Sequence, residues 1–178
     1  ITNAAITVTF SDGRVLQVPA GRTVASGATN WSGGNATGGG VSELYPLPSW
    51  QRDAQVPAHP AGGGRGGRGV PDVAAAADPM TGYQIVIGGR KGYVGGTSAA
   101  TPLWAALVCR VAQELGRAPG LLQPRLYEGL DPGRVTAGFR DVAEGHNGHW
   151  PARPGWDLNT GLGSPDAAAL LEVFTSAP

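Results

Sequence analysis

The strongest constraint on the fold is a glycine pair, Gly95-Gly96, which is followed at once by a long apolar stretch. Two adjacent glycines allow close backbone approach and unusual dihedral angles, so a tight turn is predicted there. From Ser98 to Leu115 the apolar side chains recur at helical spacing, at Leu103, Trp104, Leu107, Val108, Val111 and Leu115. We expect a helix here that tolerates Pro102 in its first turn and ends at Gly116.

Strands and shorter helices are predicted around this helix. Alternating apolar residues around a Ser-Asp-Gly turn predict a β-hairpin over 6–18, and a second hairpin is predicted over 83–94. The run 70–77 (VPDVAAAA) is small and apolar, which favours a buried strand or the approach to one. Shorter helices are predicted near 121–130 and 166–174. Strands mixed with helices long enough to cover a sheet predict an α/β fold.

Two glycine-rich stretches, 26–40 and 51–69, are predicted to be loops. The second ends in an arginine-glycine tract at 62–69, a composition that can bind RNA. Two arginines without a neighbouring basic patch favour a solvated surface loop instead. Cys109 is the only cysteine, so no disulfide forms within the chain, and we expect a buried, inert thiol in the apolar helix.

Size and charge narrow the function classes. The 178 residues suit one domain, and a hydrophobic content of 41% is enough for a core. Thirteen Lys and Arg balance 13 Asp and Glu, which removes any whole-chain electrostatic argument for nucleic acid or an anionic membrane as partner. No apolar run reaches the roughly 18 residues that a membrane span needs. The low charged content of 15% suits a loop-rich extracellular protein.

Ser98 stands where the glycine turn meets the helix. A serine at a helix start often does no more than cap it. Here the glycine pair precedes it, and small residues, Ala99 and Ala100, leave room above the hydroxyl. The helix N-terminus offers N–H groups and a positive dipole end that stabilise developing negative charge. Both the capping role and a nucleophile remain open from the residues alone.

The stretch Gly96-Thr97-Ser98-Ala99-Ala100-Thr101-Pro102 resembles the Gly-Thr-Ser-x-x-x-Pro signature around the nucleophile of the subtilisin-like clan. Ala99 and Leu103 stand where subtilisins proper usually have Met and His. The chain is instead similar to the sedolisin family of serine-carboxyl peptidases, in its kumamolisin branch. Further stretches carry the same resemblance, in order: GGGVS at 38–42, PLPSWQ at 46–51, GRGVPDV at 67–73, ADP at 77–79, TGY at 81–83, PGWD at 154–157 and TGLGSP at 160–165.

The resemblance implies a subtilisin-like, three-layer α/β fold with a parallel sheet, of which residues 1–178 would form the C-terminal portion of the catalytic domain. It implies a secreted, acid-active endopeptidase with Ser98 as nucleophile and a peptide or protein as substrate. In that family a glutamate oriented by an aspartate is the base, and a second aspartate donates to the oxyanion. No matching stretch occurs in this chain, so we expect a missing N-terminal part of the same peptidase to supply them as a partner.

Other residues of this chain are weaker candidates for the base. His59, His146 and His149 all fall in loops, and none sits in a motif like that around the histidine of subtilisins. A metal shared by His146 and His149 lacks a supporting ligand set. Asp72 and Asp78 match other positions of the family pattern, and a structural hydrogen-bonding role is expected for Asp72.

A calcium site is the second candidate. Asp157, which follows Asp141 by 16 positions, closes a loop rich in Gly, His and Pro. Carboxylates and carbonyls suit Ca²⁺, but two such aspartates taken alone are more often caps or loop anchors. The resemblance implies a calcium site here, with the carboxylates of Asp141 and Asp157 and the carbonyls of Val142, Arg153 and Gly155 as ligands. Arg153 stands where the family usually has glycine, and the loop is shorter than usual.

Two rival hypotheses remain. A non-catalytic fragment or pseudoenzyme would fold and bind calcium or a partner without chemistry. A conventional Ser-His-Asp subtilisin would need a histidine motif, which is absent from the sequence.

Overall fold

The computed structural model describes residues 6–9, 15–18, 37–58, 66–79 and 82–176. Three α-helices are present in this part of the chain, α1 (Thr97–Leu115), α2 (Gln123–Leu126) and α3 (Ala167–Thr175), with a 3₁₀ helix at Ser49–Ala54. The strands are β1 (Ile6–Thr9), β2 (Val15–Val18), β3 (Gly40–Pro46), β4 (Gly67–Val70), β5 (Tyr83–Ile87), β6 (Arg90–Val94), β7 (Phe139–Arg140) and β8 (Ser164–Pro165).

The strands pair in four two-stranded antiparallel ladders, β1–β2, β3–β4, β5–β6 and β7–β8. The mixture of helices and strands agrees with the predicted α/β class. The resemblance predicts a parallel sheet, but all pairs among the described strands are antiparallel. Parallel neighbours need a crossover connection, and the two strands that follow α1 pair only with each other.

Both predicted hairpins are present. In the first, Ile6 pairs with Val18 and Thr9 with Val15; its predicted turn lies outside the described residues. In the second, Tyr83 pairs with Val94, and the turn is made by Gly88 and Gly89 at φ angles of 56° and 76°. Two consecutive positive φ angles match the twist of the hairpin strands, which explains the glycine pair.

The predicted loops contain regular structure that composition did not reveal. Strand β3 begins at Gly40, and the 3₁₀ helix and β4 occupy part of 51–69; residues 26–36 and 59–65 lie outside the described part. The end of the arginine-glycine tract is a partly buried strand and not a solvated loop. A Cβ atom at Gly67 would lie 1.9 Å from the carbonyl oxygen of Ser42, and one at Gly69 would lie 2.4 Å from the Trp156 ring. These glycines permit close packing, which glycine content alone cannot distinguish from flexibility.

Helix α1 follows the predicted pattern closely. Gly96 precedes it, and Gly116 ends it with φ 63° and an N–H that donates to the Gln113 carbonyl. Pro102 is the sixth helical residue, in the second turn and not the first. Proline has no N–H, so position 102 cannot donate the usual helical bond to the carbonyl of Ser98.

Cys109 is exposed, which contradicts the expected buried thiol. The apolar stripe that packs inward on α1 centres on Val111, which is only 1% exposed, and on Leu107 one turn earlier. Cys109 lies two residues from each, and two residues rotate a helix by about 200°. An apolar helix therefore places this thiol on its opposite side.

The hydrophobic core lies between α1, α3 and the C-terminal loops, and α1 packs against α3. Its buried members are Ala54, Val111, Leu126, Tyr127, Leu130, Trp156, Leu158, Leu162, Leu170 and Phe174. Of the predicted run 70–77, only Val70 lies in a strand, at the end of β4, and 71–77 are irregular and half-buried. The last predicted helix is α3, where the Asp166 side chain accepts from Ala169 N at 3.4 Å as the N-cap.

Candidate active site and calcium loop

Ser98 is exposed at the second residue of α1, as predicted. The two preceding glycines have different roles in placing it. Gly96 adopts φ 91°, a conformation that other residues rarely take, and its N–H donates to the Ala77 carbonyl at 2.5 Å. At Gly95 a Cβ atom would meet Pro79 N at 2.4 Å, so only glycine lets the two chain segments approach this closely.

The first turn of α1 leaves hydrogen-bond donors beside the serine. Ala99 N and Ala100 N donate to the Gly96 carbonyl at 3.0 and 3.2 Å, so the N–H groups of Thr97 and Ser98 precede the first helical bonds. Gly96 has no side chain to cap them. The Ser98 hydroxyl itself makes no hydrogen bond to another described residue. An exposed hydroxyl beside uncapped N–H groups suits a nucleophile with donors for a developing oxyanion.

Asp72 is the centre of a partly buried hydrogen-bonded network. Its carboxylate pairs with Arg68 and accepts from Tyr127 Oη at 2.8 Å and from Gln123 Nε2 at 3.3 Å. Gln51, which is fully buried, contributes a longer bond of 3.4 Å from Nε2. Burial raises the pKa of Tyr127 well above its ordinary value, and the charge of Asp72 raises it further. The expected structural role of Asp72 is confirmed.

The predicted calcium loop brings Asp141 and Asp157 together. Asp141 Oδ2 accepts from Gly155 N at 2.8 Å, and Asp157 Oδ2 accepts from Arg153 N at 3.1 Å. Asp157 is almost completely buried, and its Oδ1 accepts from Asn159 N, Thr160 N and the Thr160 hydroxyl at 2.7 to 3.2 Å. Backbone N–H groups therefore tie both carboxylates to one loop, and Val142 is buried beside them.

One atom in this loop lacks a partner. Asp141 Oδ1 is buried and accepts no hydrogen bond within the described part of the chain. Burial raises the pKa of Asp141, the N–H groups of Gly155 and Val142 oppose the rise, and the charge of Asp157 adds to it. A buried carboxylate oxygen without a donor, close to a second carboxylate, is the environment that a bound cation would relieve.

The candidate carboxylate ligands number only two, and the described residues hold no group of three or more His, Cys, Asp or Glu side chains arranged for a metal. Further ligands would have to be neutral oxygens such as backbone carbonyls. An all-oxygen set of two carboxylates and carbonyls suits Ca²⁺ and not a softer metal. The residues present fit calcium in their chemistry.

Comparison with known proteins agrees with the family resemblance of the sequence. No family model matches the chain. Kumamolisin from Bacillus sp. (strain MN-32) is 50% identical over 147 residues, which cover 79% of this chain and 26% of that relative. Aorsin from Aspergillus oryzae is 34% identical over 176 residues, which cover 80% of this chain and 25% of aorsin.

Among solved structures, the chain is similar to Pseudomonas sedolisin, a serine-carboxyl proteinase solved in complex with two molecules of pseudo-iodotyrostatin. The match has a TM-score of 0.62 and 28% identity, and it covers 98% of this chain and 41% of that one. This chain belongs to the sedolisin family. Its fold is the subtilisin-like α/β fold of that structure. The chain spans about a quarter of the length of the curated relatives that it matches.

Two histidines of this sedolisin-family chain, His146 and His149, make contacts within their own loop. His146 Nδ1 accepts from Gly148 N at 3.1 Å, and the His149 ring meets Trp150 edge-on at 4.7 Å. His59 lies outside the described residues. No hydrogen bond joins His146 or His149 to Ser98, so the part of the chain described offers no support for a conventional Ser-His-Asp arrangement. No described helix is long and apolar enough to cross a membrane.

Sequence reasoning missed two contributors. Gln51 falls in a predicted loop, yet its amide donates to Gly69 O and accepts from Gly69 N, both at 2.9 Å. Its position in the stretch PLPSWQ, which carries the family resemblance, was the available signal. The Arg153 guanidinium donates to three backbone carbonyls, and nothing in the local sequence points to those partners.

Proposed function

We propose that this chain supplies the nucleophile, Ser98, of a serine-carboxyl peptidase that cleaves peptide bonds by acyl transfer in acid. The observation that carries the proposal is the exposed Ser98 hydroxyl beside the uncapped N–H groups of the α1 first turn. The relatives named above are peptidases of this family, which supports the same reaction class for the protein to which this chain contributes.

In the proposed reaction, Ser98 Oγ attacks the carbonyl carbon of the scissile peptide bond and loses its proton to a base. The N–H groups at the start of α1 then face the negative charge that develops on the carbonyl oxygen. The amine leaves with a proton, and water hydrolyses the resulting acyl-enzyme. The base and the oxyanion carboxylate come, in this proposal, from the part of the peptidase that this chain does not span.

A carboxylate as the general base explains why the proposed peptidase would be active at acid pH. General-base catalysis is most effective when the pKa of the base approaches the ambient pH, and the unperturbed pKa of Glu is about 4.3. The substrate is a peptide or an unfolded protein. We place the enzyme outside the cell, in keeping with the low charged content of 15%.

Calcium is the proposed cofactor, held by the carboxylates of Asp141 and Asp157 and the carbonyls of Val142, Arg153 and Gly155. The orphaned, buried Oδ1 of Asp141 supports this assignment. When bound, the ion supplies positive charge that relieves repulsion between the two carboxylates, so its role is structural. It takes no part in the chemistry at Ser98.

The second candidate function is a catalytically inactive module that binds calcium or a partner. It is favoured by the isolation of Ser98, whose hydroxyl makes no hydrogen bond to a described carboxylate or histidine.

Active-site labelling separates the two candidates. The chain is treated with a fluorophosphonate at acid pH, alone and with the preceding part of a kumamolisin-like catalytic domain, and the modified residue is found by mass spectrometry. We expect labelling of Ser98 only in the combined sample, and none after Ser98→Ala. Ser176→Ala, which changes another exposed serine, serves as the matched control. Absence of labelling in a combined sample that has associated would favour the inactive module.

A further inference from the structure

Three of the five proposed calcium ligands come from one short segment, residues 153–157. Gly155 allows the sharp turn of this segment with φ 83°, and a Cβ atom there would meet Arg134 N at 2.9 Å. The direction of the Arg153 and Gly155 carbonyls therefore depends on what holds the segment in place. The bond from Gly155 N to Asp141 holds the segment on one side, and the bond from Arg153 N to Asp157 closes the segment on itself.

Arg153 holds the segment on the other side. Its Nε donates to the Trp156 carbonyl at 3.1 Å, within the segment itself. One terminal nitrogen donates to the Gln55 carbonyl at 2.9 Å and to the Ala54 carbonyl at 3.3 Å. A planar guanidinium with several fixed donors suits such a multiple contact, whereas a lysine ammonium acts as a single point of charge.

The two outer acceptors lie at the end of the 3₁₀ helix Ser49–Ala54. Gln55 is the residue that ends this helix, in the left-handed conformation with φ 51°, and it is the only described non-glycine residue with a positive φ. Carbonyls at a helix end attract positive charge. Arg153 thus bridges residues about 98 positions apart in the chain, between the predicted calcium loop and this 3₁₀ helix.

Arg153 forms no ion pair with the proposed calcium ligands. The ion pairs among described residues are Arg68–Asp72, Arg110–Glu114, Arg125–Glu128 and Arg140–Asp166, and none involves Arg153. Its guanidinium donates to backbone carbonyls and does not pair with Asp141 or Asp157. An arginine at this position is therefore compatible with the site.

We infer that Arg153 is a positioning residue: its guanidinium clamps the 153–157 segment to the end of the 3₁₀ helix and so couples calcium binding to that helix. The inference rests on the proposed calcium site. The same 3₁₀ helix carries Gln51, whose amide joins Gly69 and the Asp72 network. Through Arg153, calcium binding in the loop is thereby linked to the 3₁₀ helix and to the contacts that Gln51 makes with Gly69 and Asp72.

The test keeps the charge and weakens only the clamp. Removing a positive charge near the site would by itself change calcium affinity, so the variant is Arg153→Lys and the matched control is Arg117→Lys, an exposed arginine after α1. Calcium affinity of the full chain is measured by titration calorimetry. Amide hydrogen exchange at 49–55 and 153–157 is measured by mass spectrometry, with calcium and with chelator.

We expect calcium to slow exchange in both segments of the parent chain and of Arg117→Lys. In Arg153→Lys we expect calcium to protect 153–157 but not 49–55. We also expect a calcium affinity weaker by about tenfold, the low end of the effect usual for residues that support metal ligands. Unchanged affinity together with unchanged protection at 49–55 would overturn the inference. If Arg153→Lys did not fold, the parent would still decide, since an absence of calcium-dependent protection at 49–55 overturns the coupling.

A parent chain that takes up no calcium would overturn both the clamp and the calcium site. The peptidase proposal is tested separately by the labelling of Ser98, so its failure is distinguishable from that of the clamp.

Discussion

The N–H of Gly155 donates to Asp141 Oδ2 at 2.8 Å, while Oδ1 of the same carboxylate is buried and has no donor among the described residues. Because of this asymmetry, one substitution should change the melting temperature in opposite directions with and without calcium. Asp141→Asn keeps an oxygen for Gly155 and removes the repulsion with Asp157, so it should raise the melting temperature in chelator. In excess calcium it loses a ligand charge and should lower the melting temperature relative to the parent.

Calorimetric melting in chelator and in calcium measures both effects, each expected to be about 2–4 °C for a change of roughly 1 kcal/mol in a domain of this size. Asp131→Asn, at an exposed position, is the control. Asp157→Ala is a less specific test, because it also removes the bonds from Asn159, Thr160 and Arg153. Equal shifts of Asp141→Asn in the two conditions would count against a cation at this loop.

The Asp72 network predicts a stability loss without any cation. Tyr127 Oη donates to Asp72 Oδ1 at 2.8 Å and accepts from Gln51 Nε2 at 3.0 Å. Tyr127→Phe removes one acceptor and one donor from buried polar partners, so we expect it to lower the free energy of unfolding by about 1–3 kcal/mol. Urea denaturation measures the change. Tyr93→Phe, where the tyrosine is 64% exposed, should be within about 0.5 kcal/mol of the parent.

The Arg140–Asp166 pair predicts a pH dependence. The hydrogen bond from Arg140 at 2.8 Å holds the pKa of Asp166 below its ordinary value. A lowered pKa in the folded state means that the pair stabilises the fold above the unfolded pKa, about 3.9, and that this contribution is lost as pH falls through the folded pKa. Asp166→Asn still caps α3, so it isolates the charge.

Urea midpoints of the parent and Asp166→Asn should therefore differ at neutral pH and converge as the pH falls below the unfolded pKa, about 3.9, and through the lower folded pKa. Because both side chains are partly exposed, the neutral-pH difference should stay below about 1 kcal/mol and shrink in high salt. A difference that persists unchanged into strong acid would mean that the charge of Asp166 does not contribute.

Periodicity and turn chemistry predicted the parts of the fold that depend on local sequence. The apolar spacing from Leu103 to Leu115 indicated α1, and Gly88-Gly89 indicated the β5–β6 turn. Strand β4 was missed because Gly67 and Gly69 serve close packing against Ser42 and Trp156, contacts that join residues distant in sequence. The exposure of Cys109 was missed because an apolar helix does not show from its sequence which side faces the core.

In the candidate site, too, only the features that depend on local sequence could be predicted. The glycine pair correctly predicted the position and exposure of Ser98, and its role as nucleophile stays a prediction. The two aspartates of the loop followed from the family resemblance. The clamp by Arg153 could not be predicted, since its acceptors at Ala54 and Gln55 lie in a different segment and are backbone atoms with no side-chain signature.

We expect this chain by itself to show no appreciable peptidase activity. The Ser98 hydroxyl has no hydrogen-bonded base among the described residues, and Asp72 is committed to Arg68 and Tyr127. When the members of a catalytic unit are missing together, at best the weak catalysis from binding and the remaining oxyanion donors survives.

The measurement is cleavage of an unfolded protein substrate by the purified chain between about pH 3 and 7, a range that spans the unperturbed pKa of Glu near 4.3. Ser98→Ala is the control, and the preceding part of a kumamolisin-like domain is added in trans in a parallel series. Activity that appears only on addition, and only with Ser98 present, agrees with a base supplied from outside this chain. Ordinary turnover by the chain alone that Ser98→Ala abolishes would mean that a base lies within it. That base would then be sought among Asp72, Asp78 and the loop histidines.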